Sequence, residues 1–350
     1  MSKIKKVAIW ILSIILLIGM IFTGSYSFAK YKYNSDLVKN ETSKEDTSEA
    51  PEVEEKNYET ETNIKNILLV GVDTRGDYED SKTDTIIIAT IDPNTKKVKL
   101  TSLMRDMYVE IPGKGYNKIN SAFQIGGIEL LKKTIRYNFD LNIDYYASID
   151  FQGFQSLIDK VGGIELDVKK HEVNEINKYI EEVNGSKSTV INKEGMQFLN
   201  GQQALSYCRI RKVGNSDYER TERQRRVLSL LLSKLKEVNT TKLPSIYSTI
   251  SPYVKTDISF GSVLKLGYTV YNFDSYTPDT LRLPVDNCYK DTYIKGMSVL
   301  IPNLKETAIE LHKFIYPSTE SYNVKVPDNS SIYNGRKAEI TTINENVVSM

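Results

Sequence analysis

This chain reads as an α/β protein whose sheet is covered by helices on both sides, preceded by one N-terminal transmembrane helix. Three observations lead there. Residues 66–72 and 85–91 are nearly continuous β-branched apolar runs, the composition of strands buried on both faces. Apolar residues at helical spacing follow them, at Phe123, Ile128, Leu131 and Ile135. Residues 7–29 carry no charge and are long and apolar enough to cross a bilayer.

Taken in order, Lys3, Lys5 and Lys6 make residues 1–6 a cytoplasmic tip, although Lys30 and Lys32 on the far side reduce the charge asymmetry. The helix over 7–29 has Trp10 and Tyr26 near its ends, and a cleaved signal peptide is its rival reading. Residues 30–62 form an acidic extracellular linker, rich in Glu, Ser and Thr beyond Asn40 and too poor in apolar residues to fold. One domain over residues 63–316 then follows, outside the cell membrane. Its first two strands are the runs named above. Asp92-Pro-Asn-Thr95 is a turn into an alternating strand at 98–103, which pairs antiparallel with the strand before it. A helix over 120–139 is interrupted by Gly126-Gly127. A strand at 143–149, a helix at 151–161 with Asp150 as N-cap and a strand at 164–168 come next. Further helices are expected near 243–250 and 260–273. Residues 317–350 are polar and are expected to be a disordered tail.

Composition removes several functions. With 40% hydrophobic and 26% charged residues the chain is ordinary globular material, and its net charge of +1 argues against a nucleic-acid partner. Only His171 and His312 are present, neither beside metal-ligand or triad residues, so a His-based hydrolase and a zinc site are set aside. Cys208 and Cys288 could pair, but the apolar alternation around Cys208 favours a buried thiol.

Six of the eleven arginines fall within residues 208–226. Arginine presents a planar fork that matches phosphate oxygens, so the concentration points to a polyanionic partner; a solvated basic helix face is the bland alternative. Arg209 and Arg211 would project from one face of a strand with Cys208 and Ile210 on the other, a two-pronged clamp. Arg220 and Gln224 lie one helical turn apart, on the stripe of Leu228, Leu231 and Leu235. Arg225 and Arg226 read as solvated or facing lipid headgroups. Antiparallel strands ending at Val72, starting at Thr85 and ending at Leu103 would gather Asp73, Asp84, Arg105 and Asp106 at one sheet end. Two carboxylates so placed can share a hard divalent cation, although an Asp at a strand end is commonly a turn residue or cap.

Gly71-Val-Asp-Thr-Arg75, Thr83-Asp-Thr85, Met104-Arg-Asp106, Lys118-Ile-Asn120, Gly162-Gly163, Arg209-x-Arg211, Ser216-Asp217 and Arg220-x-x-Arg-Gln224 resemble, in order, the motifs of the LytR-CpsA-Psr family. The resemblance spans roughly residues 64–235. It implies a three-layer α/β/α sandwich with a central mixed sheet, and a phosphotransferase. That enzyme would move a secondary cell-wall glycopolymer, teichoic-acid or capsule-like, from a polyprenyl pyrophosphate carrier onto peptidoglycan. It further implies Mg²⁺, with Mn²⁺ able to replace it, on Asp73 and Asp84. Arg105, Arg209, Arg211, Arg220 and Gln224 would grip the pyrophosphate with Arg75 and Lys118 beside them. Arg105 would act at the reacting centre, and Asp106 or Asp217 would take the acceptor's proton. Phe123, Ile128, Phe151 and Phe154 are candidate walls for the lipid tail. Lys82-Thr83 departs from the family's common Arg-Ser, and Met104 from its common Pro. With water as acceptor the same site is a pyrophosphatase, and without turnover a precursor sensor.

Overall fold

The computed structural model describes residues 63–73, 82–184, 190–213, 217–238, 242–273, 277–317 and 322–334. The expected membrane helix and linker, and Arg75, lie outside the described residues. Among the described residues no helix is long and apolar enough to cross a membrane.

The three apolar runs form β1 (Lys65–Asp73), β2 (Lys82–Asp92) and β3 (Lys97–Leu103), paired antiparallel in that order. Asp92 makes the β2–β3 turn by accepting from the backbone N–H groups of Asn94 and Thr95 at 3.0 and 3.2 Å. β4 (Tyr108–Ile111) and β5 (Gly115–Lys118) form a hairpin leading into α1 (Ile119–Phe139), which is kinked where Gly127 adopts φ 63°. β6 (Tyr145–Asp150) then runs parallel to β1, and Asp150 caps α2 (Phe151–Lys160) by accepting from Gly153 N–H at 2.8 Å.

β7 (Ile164–Val168), α3 (Lys170–Asn184), β8 (Gly195–Leu199) and α4 (Gly201–Arg209) build a side layer with its own apolar cluster, and α5 (Asp217–Glu237) joins that layer to the sheet. After α6 (Leu243–Ile250), β9 (Val254–Thr256) and α7 (Phe260–Tyr271), β10 (Asp279–Leu283) adds to β3 in parallel. The hairpin of β11 (Tyr289–Ile294) and β12 (Met297–Pro302), α8 (Leu304–Ile315) and α9 (Ser330–Tyr333) complete the described chain. The central sheet is mixed and ordered β10-β3-β2-β1-β6-β9. Strand alternation divides its side chains between two cores: Leu68, Val70, Ile86 and Ile88 pack with α1 and α8, while Ile67, Ile87 and Ile91 pack with α5 and α7.

Two expectations are corrected. Residues 208–211 are not a strand, because a capping box between Asn200 and Gln203 starts α4 and the helix runs through Arg209. Cys208 and Ile210 are both buried, but Cys208 ends a helix while Ile210 is extended, so their two-residue spacing only imitates a strand. The polar segment after Tyr316 is ordered in part. Within 322–334, Val326 packs on the main core and buried Asn329 donates to Pro302 O at 2.7 Å. Asn329 Oδ1 also lies 3.5 Å from Leu304 N at the start of α8. Ile332 and Tyr333 add apolar packing against Tyr108, Val299 and Ile301.

Candidate functional site

A β-bulge sets the site's centre. Gly71 faces Thr85 and Val72 faces Thr83, so Asp84 is the extra residue of β2 and leaves the ladder. The buried Thr83 hydroxyl fixes the bulge from 3.1 Å off Gly71 O and 3.0 Å off Thr85 O. A Cβ on Gly71 would meet Thr85 Cβ at 3.0 Å, which keeps residue 71 small.

Asp84 is surrounded by guanidinium groups from three parts of the chain. Arg105, just past β3, donates through Nη1 to Asp84 Oδ1 at 2.6 Å, and Arg211, in the loop after α4, donates through Nη2 to Oδ2 at 3.0 Å. Arg220 on α5 places Nη1 3.9 Å from Oδ1. Asp217 opens α5 and accepts from Arg220 Nη2 at 2.8 Å, with Arg105 Nε and Arg211 Nε at 3.4 and 3.8 Å. Lys118, before α1, donates to Asp106 Oδ1 at 2.7 Å, and Arg105 Nε lies 3.5 Å from Asp106 Oδ2. Four cations thus meet three carboxylates.

The balance leaves donors unused. Arg220 is 1% exposed, yet among the described residues its Nε and Nη1, and Arg105 Nε, reach no hydrogen-bond acceptor. Unsatisfied buried donors cost about 1–3 kcal/mol each, more when charged, so the arrangement is complementary to an anion with several oxygens. Burial lowers the pKa of Arg220 to about 10; Asp217 opposes the shift, and Arg211 and Arg105 add to it. Burial alone would raise the Asp84 pKa, but the charges of Arg211, Arg105 and Arg220 hold it below the ordinary carboxylate value. Asp106 is likewise lowered: burial is outweighed by its bond from Lys118 and the charge of Arg105. Both carboxylates are therefore ionised at neutral pH.

The structure brings together Asp84, Arg105, Asp106, Lys118, Arg211, Asp217 and Arg220. Asp73 closes β1 opposite Lys82 at the same sheet end. Arg209 makes no ion pair with these carboxylates: its Nη2 donates to Glu182 at 2.9 Å, its guanidinium sits 5.1 and 5.0 Å from the ring centres of Phe151 and Tyr179, and its buried Nη1 has no acceptor among the described residues. Gln224 is buried with Nε2 3.5 Å from Cys208 O, a brace on the end of α4. Arg223, which the sequence reading did not single out, is buried beneath the Arg211 loop. It donates to Glu172 at 2.8 Å, Glu219 at 2.6 Å and Ile210 O at 3.3 Å. Its place in the Arg220-x-x-Arg-Gln224 motif and its position one turn from Glu219 on α5 were the signals available in sequence.

By type, Asp73 and Asp84 are the oxygen donors a hard cation prefers, but both Asp84 oxygens accept from arginines, and the described residues hold no group of three or more His, Cys, Asp or Glu side chains able to bind a metal. A cavity of about 350 Å³ opens along α1, lined by Phe123, Ile125, Gly127, Ile128, Tyr146 and Lys255. The same helix reaches the charged cluster at its start, where Asn120 N–H lies 3.4 Å from Arg105 O. Of the other candidate walls, Phe151 packs on Arg209 and Phe154 belongs to the side-layer core.

The domain is thus a mixed α/β fold with a dense arginine site at one end of its sheet and a mostly apolar cavity farther along α1, and its donors suit an anion with several oxygens. The LytR_cpsA_psr family matches residues 26–313, and the chain belongs to that family. It is 34% identical over 276 residues to the polyisoprenyl-teichoic acid–peptidoglycan teichoic acid transferase TagU of Enterococcus faecalis, covering 76% of this chain and 84% of that protein. It is also 34% identical over 228 residues to the regulatory protein MsrR of Staphylococcus aureus, a match spanning 64% of this chain and 66% of MsrR. Among solved structures, TagT bound to LI-WTA aligns with a TM-score of 0.60 at 27% identity, covering 74% of this chain and 94% of TagT, a protein of B. subtilis.

Proposed function

We propose that this protein transfers a teichoic-acid-type glycopolymer from a polyprenyl pyrophosphate carrier to peptidoglycan. The observation that carries the reading is the group of guanidinium donors around Asp84 and Asp217 that lack acceptors. A pyrophosphate supplies those acceptors, and the apolar cavity farther along α1 gives its lipid tail a path. The naming of TagU as a transferase supports the direction of the reaction. Residues 7–29 anchor the chain in the cell membrane with its domain outside, where peptidoglycan lies.

In the transfer, an acceptor hydroxyl attacks the sugar-proximal phosphorus. The new oxygen–phosphorus bond forms as the bond to the bridging oxygen breaks, and polyprenyl phosphate leaves with the electron pair. Arg105, Arg211 and Arg220 offset the charge on the phosphoryl and leaving oxygens, the dominant requirement of a loose phosphoryl-transfer transition state. Asp106 and Asp217 are the carboxylates beside that charge able to receive the hydroxyl proton, and the lowered pKa of Asp106 suits transfer late in the reaction. Mg²⁺ on Asp73 and Asp84 would supply further neutralisation of phosphate oxygens. Arg209 and Gln224 support this machinery from behind, by packing and by bracing Cys208. Kinetics of the full-length protein with Arg211→Ala combined with Asp84→Ala test the assignment: loss of transfer is expected, and transfer at the wild-type rate contradicts it.

A further inference from the structure

We propose that Arg225 and Arg282 form a second anion subsite beside the Asp84 cluster, one that takes a phosphodiester group within the transferred glycan; this rests on the transferase reading. Tyr218 and Arg225 lie seven residues apart on one stripe of α5, and that stripe faces Arg282 on β10. The Arg282 guanidinium is 4.6 Å from the Tyr218 ring centre and 6.0 Å from that of Tyr289. Its Nη1 donates to Pro284 O at 2.9 Å and lies 3.5 Å from Met104 Sδ, while Nη2 pairs with Asp286, whose side chain is 82% exposed. Because Met104 precedes Arg105 and Tyr218 follows Asp217, the pair adjoins the pyrophosphate cluster along the chain on two sides.

Arg225 gives the observation that requires a ligand. Its Nη1 is buried without an acceptor, and among the described residues its guanidinium enters no hydrogen bond or ion pair. Burial depresses its pKa, Glu222 opposes the shift, and the charge of Arg282 adds to it. Glu222 itself is engaged by Arg226 at 2.8 Å. Two neighbouring guanidiniums, one without a partner, destabilise the ligand-free fold, and an anion between them removes that cost. The rings of Tyr218 and Tyr289, 6.0 Å apart and tilted by 35°, hold the Arg282 guanidinium in place.

The test uses full-length protein in detergent and two synthetic polyprenyl pyrophosphate glycans of identical sugars, one extended by glycerol phosphate and one by glycerol. Dissociation constants for both, KM for both and thermal midpoints are measured for wild type and Arg225→Gln. The expected result is about tenfold weaker binding and higher KM for the phosphate-extended glycan alone in Arg225→Gln. Because Arg225 has no partner to lose, that variant keeps a midpoint at or above wild type. Equal effects on the two glycans, no effect on either, or a wild type that does not prefer the phosphate-extended lipid overturns the subsite. Failure of wild type to turn over either lipid counts against the transferase reading instead, and the binding constants still decide the subsite.

Discussion

The proposed pyrophosphate role makes Arg220 a cost to the ligand-free fold, and Arg220→Met tests that. Its pKa falls from 12.5 to about 10, chiefly through burial, with Asp217 opposing and Arg211 and Arg105 adding to the fall. At about 1.36 kcal/mol per pKa unit, keeping the proton in the ligand-free protein costs about 3 kcal/mol. Methionine fills a similar length without the charge. Asp217 keeps Arg105 and Arg211 at 3.4 and 3.8 Å, so it is not abandoned when Arg220 goes. Thermal unfolding of the full-length protein in detergent, with and without inorganic pyrophosphate, is the assay. The variant should unfold at or a few degrees above the wild-type temperature without ligand. Pyrophosphate at about a hundred times its dissociation constant should raise the wild-type midpoint on the order of 5–10 °C and leave the variant nearly unmoved. A variant that loses more than about 2 kcal/mol of stability while retaining the pyrophosphate shift would show a structural ion pair and refute the reasoning.

Three further outcomes follow from the same geometry. Asp84 has a folded pKa below its ordinary value of 3.8, so its pairing stabilises the protein above about pH 4 and is lost as pH falls through the folded pKa. Urea midpoints should therefore favour wild type over Asp84→Asn by about 1–3 kcal/mol at pH 6 and converge toward pH 3; a pH-independent difference would remove the ion-pair account. Arg223 and Glu172 are 3% and 1% exposed, so Arg223→Met alone should cost about 3–5 kcal/mol in urea unfolding, with part restored by adding Glu172→Leu. Ile128→Trp narrows the cavity on α1 and should raise KM about tenfold for a long polyprenyl substrate but not for a short-chain pyrophosphate. An unchanged KM for the long substrate would place the lipid elsewhere.

How much of this was legible in sequence depended on whether the signal was local. The three strands were readable because their apolar runs and the Asp92 turn need no tertiary context, and together they carried Asp73, Asp84 and Arg105 to one sheet end. The bulge that aims Asp84 was not readable, since it exists only in the pairing of β1 with β2. The strand reading of residues 208–211 failed because a helix end followed by one extended residue reproduces the two-residue spacing of a strand. Arg282 gave no local sign at all: it is a single arginine in a five-residue strand, brought beside α5 by the parallel pairing of β10 with β3. The segment around Asn329 looked like a tail because its apolar contacts, Val326, Ile332 and Tyr333, follow no strand or helix period, and its hydrogen bonds to Pro302 and Leu304 exist only in the folded chain.

The central claim is tested most directly by the mass of the product formed when full-length protein, a polyprenyl pyrophosphate saccharide, peptidoglycan oligomers and Mg²⁺ are incubated together. A saccharide phosphate covalently attached to the oligomer, dependent on Asp84, is the predicted result. Saccharide phosphate released only in free form, or no product despite tight lipid binding, would contradict it.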